Sequence, residues 1–119
     1  MDDETLQMTM LFDFFGDLLT GKQREYYDLY HNEDLSLSEI AEKTGISRQG
    51  VHDIINRAEK SLVSIERKTD VVRKWLNTRA ELERAGAAAG KILKLAGDDS
   101  EIALLAKSII QSVERAGDT

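Results

Sequence analysis

Apolar residues in this chain of 119 residues fall into runs with helical spacing. In residues 4–19, ETLQMTMLFDFFGDLL, Leu6, Met10, Phe14 and Leu18 recur every four residues, and Met8, Leu11, Phe12, Phe15 and Leu19 fill a second stripe. A helix apolar on more than one side is either buried on several faces or packed against a second chain. Thr20, with Gln23 three residues on, reads as a capping box that opens a second helix. That helix carries Tyr26, Tyr27, Leu29 and Tyr30 and is expected to end near His31-Asn32. Three tyrosines can also be read as a base-stacking platform, but at helical spacing they are expected in the core with their hydroxyls at its rim.

Ser36 and Glu39 form a second capping box, with Leu35 and Ile40 placed as its hydrophobic staple. The short third helix ends near Thr44, and Gly45 supplies a left-handed residue after it. Ser47 is placed to cap a fourth helix, with Ile46 and Val51 as another staple. In that helix Val51, Ile54, Ile55, Ala58, Leu62 and Ile65 recur at spacings of three and four, one buried face over five turns. Val71, Val72, Trp75, Leu76 and Leu82 continue a helical pattern to about residue 85. The small-residue run AGAAAG at 85–90 then reads as a hinge or a close-packed helix. Asp98 or Asp99 is placed to cap a last helix, whose stripe is Ile102, Leu105, Ala106, Ile109 and Val113 before Gly117.

The pattern therefore predicts an all-α protein in two parts. Residues 1–66 form an N-terminal helix plus a helix-turn-helix domain. Residues 67–119 form a C-terminal helical extension for packing or dimerisation. Composition agrees: proline is absent and 41% of residues are hydrophobic. There is no cysteine, hence no disulfide and no thiolate metal site. No apolar run approaches the roughly 20 residues of a membrane span. The opening MDDET is acidic where a secretory signal is basic. A soluble cytoplasmic protein without membrane insertion is expected.

Two helices crossing near a right angle over a small core need particular residues at particular steps. Counted from Leu37, an apolar residue belongs at step four, a small one at five, glycine at nine, and apolar residues at ten, fifteen and eighteen. Ile40, Ala41, Gly45, Ile46, Val51 and Ile54 meet each requirement. The opposite face of the fourth helix carries Ser47, Arg48, Gln49, His52, Asp53 and Asn56. Arginine pairs with guanine, glutamine and asparagine with adenine, and serine donates to phosphate. Lys43, Arg57 and Lys60 are placed for backbone phosphates. Asp53 faces phosphate unless it accepts from cytosine or pairs with Arg57 four residues on.

The formal net charge of −6 does not exclude a polyanionic partner. Residues 1–35 hold nine acids and two bases, while residues 57–79 hold seven bases and three acids. Local field decides contact with nucleic acid. GAAAGKI at 86–92 echoes a phosphate loop only faintly, with three residues between its glycines and Ile92 in place of serine or threonine. His31 and His52 lie on separate helices, and no nucleophile and base pair by spacing. A non-enzyme without metal or cofactor is expected.

The stretch SLSEIAEKTGISRQGVHDIINRAEKSL resembles region four of bacterial sigma factors. The longer run LFDFFGDLLTGKQREYYDLYHNEDLSLSEIAEKTGISRQGVHDIINRAEK resembles the YlxM-like family of small bacterial DNA-binding proteins more closely, over about residues 6–80. The resemblance implies a sigma-region-four-like fold, a dimeric tendency and a link to the signal recognition particle. It places Ser47, Arg48, Gln49, Val51, Asp53 and Arg57 at recognition-helix positions. Gly50 and His52 depart from it, standing where alanine and tyrosine are usual. The expected role is regulatory binding of nucleic acid, DNA ahead of RNA, by a homodimer. The alternative is an accessory protein that touches the particle's GTPase or its RNA without reading promoters.

Overall fold

The computed structural model describes residues 3–97 and 100–117. Among them the chain forms six α-helices and no strand, so the protein is all-α. They are α1 (Asp3–Phe15), α2 (Gly21–His31), α3 (Leu37–Thr44), α4 (Arg48–Thr69), α5 (Val71–Ala96) and α6 (Glu101–Gly117). A single 3-10 turn, Gly16–Leu18, follows α1 and ends the helix four residues earlier than its apolar pattern suggests.

The boundaries follow local chemistry. Both capping boxes form: Thr20 Oγ1 accepts from the Gln23 N–H at 3.2 Å, and Ser36 Oγ from the Glu39 N–H at 3.0 Å, with each N3 side chain reaching back to its cap. Gly45 ends α3 with φ of 77°, in the left-handed region a side chain disfavours. Ser47 caps α4, its Oγ accepting from the Gly50 N–H at 3.0 Å. Between α4 and α5 the helical pattern does not run through. Asp70 turns left-handed, with φ of 55°, and the Glu66 carboxylate accepts from the Val72 N–H at 2.9 Å, satisfying a donor at the start of α5. Aspartate tolerates this conformation better than most residues.

The chain divides into two compact units, the first reaching Val72 and the second beginning at Arg73. In the first, Leu11, Phe15 and Leu19 pack with Tyr26, Tyr27, Leu29 and Ile40 against Val51, Ile55, Ala58 and Leu62 of α4. The α1 region thus buries its Leu11 stripe. Of the other stripe, Met10 packs partly buried against the core, while Leu6, Phe14 and Leu18 are exposed, Leu18 by 69%. Tyr26 and Tyr27 are core residues as expected, but Tyr30 lies at the surface.

In the second unit, AGAAAG lies wholly inside α5, so it is close-packed helix and not a hinge. A Cβ on Gly86 would sit 3.3 Å from Val113 Cγ1, and Ala89, Ala103 and Ala106 are buried. Gly86 and Val113 lie equally far from the turn, so α5 and α6 run antiparallel, joined along a seam of small residues. The expected stripe of α6 needs correction. Ala106 is buried, but Ile102, Leu105 and Ile109 are exposed. Alanine at 103 and 106 lets the backbones approach closely, which rotates the larger side chains out of the seam. Asp98 and Asp99, expected as caps, lie outside the described residues. Ser100 caps α6 instead, its Oγ accepting from the Ala103 N–H at 3.0 Å.

Candidate nucleic-acid interface

The α3–α4 pair supplies the surface. Val51, Ile55, Ala58 and Leu62 lock one face of α4 into the core, and Ile54 packs beside them. That anchoring presents the rest of the helix outward for about 33 Å, at 1.5 Å per residue. Ser47, Arg48, Gln49, His52, Asp53, Asn56, Arg57 and Lys60 are all exposed, as is Lys43 in the last turn of α3. Val51 is fully buried and anchors the helix, so it is not a contact residue although the family pattern includes it.

Within this surface the polar groups are partly engaged with each other. Gln49 Nε2 donates to Asp53 Oδ1 at 3.0 Å, and His52 Nδ1 lies 3.8 Å from the same oxygen. Asp53 is therefore held by Gln49, with His52 close by, and not by Arg57. Ser47 Oγ is occupied as a cap acceptor, which leaves its hydroxyl proton available for donation. Arg48 and Arg57 project without a carboxylate partner among the described residues.

Two neighbours of the expected set emerge only in three dimensions. Tyr30 lines a cleft of about 110 Å³ with His52, Asn56 and Glu59. On the adjoining flank of α4, a groove of about 570 Å³ runs past Asn56, Lys60, Ser64 and Arg67. Met8, Val63 and His31 line it as well, together with the acids Glu4 and Glu59. His31 Nε2 lies 3.0 Å from Glu59 Oε1 and its ring stacks on Tyr27 at 4.1 Å, tying α2 to α4 where both line the groove. Arg67 was visible in the sequence as part of a basic stretch. Its alignment with Asn56 and Lys60 follows from spacings of four and seven residues on one helix. Tyr30 had no such signal, because its spacing matches its buried neighbours.

Among the described residues no three His, Asp or Glu side chains converge as a metal ion requires. No helix among them is long and apolar enough to cross a membrane.

Comparison with known proteins agrees with the helix-turn-helix fold. The helix-turn-helix family described as YlxM / p13 like matches residues 2–86. A UPF0122 protein of Thermoanaerobacter sp. strain X514 is 40% identical over 114 residues, covering 96% of this chain and 97% of its own. One from Geobacillus kaustophilus is 40% identical over 109 residues, covering 92% and 96%. One from Caldanaerobacter subterraneus is 48% identical over 84 residues, covering 71% and 72%. The similarity thus runs through the helix-turn-helix and, in the first two, into α6. The chain belongs to the UPF0122 family of YlxM / p13 like helix-turn-helix proteins.

Proposed function

We propose that this protein is a regulatory nucleic-acid-binding protein, preferring DNA to RNA and working as a homodimer in the signal recognition particle pathway. Residues 1–66 carry the binding and 67–119 serve packing and dimerisation. Arg48, Gln49 and Asn56 meet base edges, with Ser47 and His52 beside them. Lys43, Arg57 and Lys60 meet phosphates. The observation that carries this reading is the division of α4, buried along Val51, Ile55, Ala58 and Leu62 and polar and exposed at every expected contact position. Fluorescence anisotropy on a random duplex library and on structured RNA, repeated over a salt series, tests it. Arg48→Ala and Gln49→Ala are expected to weaken binding to the selected site at least tenfold, and affinity is expected to fall as salt rises. Unchanged affinity in both variants sinks direct readout.

A second reading rests on a different observation. The exposed Leu6, Phe14 and Leu18 on the α1 region offer an apolar surface to a protein, and Asp53 sits awkwardly among phosphates. An accessory protein that binds the particle's GTPase or its RNA fits those features. Retention of the purified GTPase on immobilised protein, without selective DNA binding, favours this alternative.

A further inference from the structure

The second unit has a core too small to hold it. Its buried apolar residues are Ala89, Ala103 and Ala106, with Gly86 meeting Val113 along the same seam. Leu82 and Leu93 on α5 and Ile110 and Val113 on α6 are only partly buried, so the two helices bury little area, and burial of apolar area is what offsets the entropy of ordering the chain. Five larger aliphatic side chains lie outside the seam: Ile92 and Leu95 on α5, Ile102, Leu105 and Ile109 on α6. Leu95 is 88% exposed.

These five share one side of the hairpin. At 100° per residue, Ile92 and Leu95 lie roughly a quarter-turn or more from the direction of α5 set by the buried Ala89 and the partly buried Leu82. Ile102, Leu105 and Ile109 lie a similar angle from the buried Ala103 and Ala106 direction of α6. Because the helices run antiparallel, the two displacements point the same way. Ala85 and Ala88 extend the patch along α5 with no charged residue among these positions, and Glu81 lies on the same side one turn further on. Leu104, as exposed as Leu105, lies about 130° away from the patch centre on the same helix.

We infer that this α5–α6 face is the site where a second copy of the chain docks, two hairpins closing into a four-helix bundle. The inference rests on the homodimer reading above and names its interface. The five side chains expose roughly 500 Å² on each copy, near the upper limit for the largest apolar patch on a monomer. A face-to-face pair that buries all of it removes about 1,000 Å² from water, the threshold for a biological interface. A two-fold interface needs only one self-complementary patch, and an uncharged aliphatic patch has no feature that selects a different partner. Four antiparallel helices around such a core form a stable bundle, where two do not.

Light scattering on the full chain, at several concentrations, reads the outcome. The wild-type protein is expected at twice its 13.4 kDa mass. Leu105→Asp is expected to give monomer, while its neighbour substitution Leu104→Asp and the α1-region substitution Leu18→Asp leave the dimer intact. A monomeric wild-type protein overturns both the homodimer reading and this interface. A dimer dissociated by Leu18→Asp or Leu104→Asp, and not by Leu105→Asp, overturns this interface alone. Far-UV circular dichroism checks that each variant folds. If Leu105→Asp does not fold, cross-linking decides, since the chain has no cysteine of its own. Leu105→Cys and Ile109→Cys are expected to cross-link in high yield with a short bis-maleimide and Leu104→Cys is not; equal yields at all three positions overturn the proposal.

Discussion

Gln49 Nε2 donates a 3.0 Å hydrogen bond to Asp53 Oδ1 one turn further along α4. The amide expected to read adenine is thus engaged by a carboxylate of its own helix, and that carboxylate repels phosphate. Removing it frees Gln49 and deletes one unfavourable charge. Asp53→Ala is expected to tighten binding to duplex DNA about three- to tenfold at low salt, with the gain shrinking as screening increases. Because Asp53 is exposed, stability should change by no more than about 0.5 kcal/mol. An unchanged salt series would place Asp53 away from the nucleic acid.

Much of the first unit was legible because its signals are local. Thr20 with Gln23, Ser36 with Glu39, Gly45 and Ser47 each act on backbone groups within four residues, and each does what its spacing predicts. The buried face of α4 was legible for a similar reason, since one helix sets the phase of Val51, Ile55, Ala58 and Leu62. What failed depends on neighbours. Nothing in the α1 pattern says which of its two apolar stripes meets α4, and the Leu11 stripe is the one buried. In α6 the largest residues marked one stripe, but close approach selected the alanines. The break at Asp70 lacked a glycine or proline to announce it; it depends on a left-handed aspartate and the reach of Glu66. For the candidate interface, the face of α4 was readable from the period, whereas the Gln49–Asp53 bond and the position of Tyr30 needed the structure.

Tyr27 gives a pH-dependent prediction. Its ring is stacked between Phe12 and His31, and its hydroxyl donates to the Met8 carbonyl at 3.4 Å. Burial, followed by the nearby Glu59 carboxylate, pushes its ionisation well above the ordinary tyrosine value. A raised value in the folded state means the stabilisation is fully present below the unfolded value of about 10 and is lost as pH rises beyond it. Tyr27→Phe should cost about 1 kcal/mol or less at neutral pH, because the lost hydrogen bond is long. Between about pH 9.5 and 11 the variant should lose less stability than the wild type. Urea melts of both proteins at the two ends of that range measure the difference; parallel losses would show that the Tyr27 hydroxyl does not drive alkaline unfolding.

The Ser36 capping box offers a test of local control over the helix-turn-helix. Ser36 Oγ accepts from the Glu39 N–H, and Glu39 Oε1 accepts from the Ser36 N–H at 3.1 Å. Ser36→Ala leaves the Glu39 N–H without its acceptor and should cost about 1 kcal/mol, whereas Ser36→Gly should cost only a few tenths. Thermal melts of the two variants separate these outcomes, and an equal loss in both would assign the effect to something other than the cap.

Gly50 lies inside α4, where glycine costs about 1 kcal/mol of helix stability relative to alanine. By propensity alone, Gly50→Ala should therefore stabilise the protein. A Cβ at this position would lie 2.7 Å from Ile46 Cγ2 and 3.1 Å from Ser47 Oγ. Ile46 packs against the core, and its Cγ2 branches directly from Cβ, so it cannot swing aside as the end of a long side chain does. The overpacking penalty, about 1–3 kcal/mol, exceeds the propensity gain. Gly50→Ala alone is therefore expected to destabilise by about 1 kcal/mol, the difference of those two effects. In an Ile46→Ala background the clash with Cγ2 is gone, and the same substitution should stabilise by about 0.5–1 kcal/mol. Urea melts of the four proteins complete the cycle. Stabilisation by Gly50→Ala in the wild-type background would mean that Ile46 yields without cost and that close packing does not keep glycine at this position.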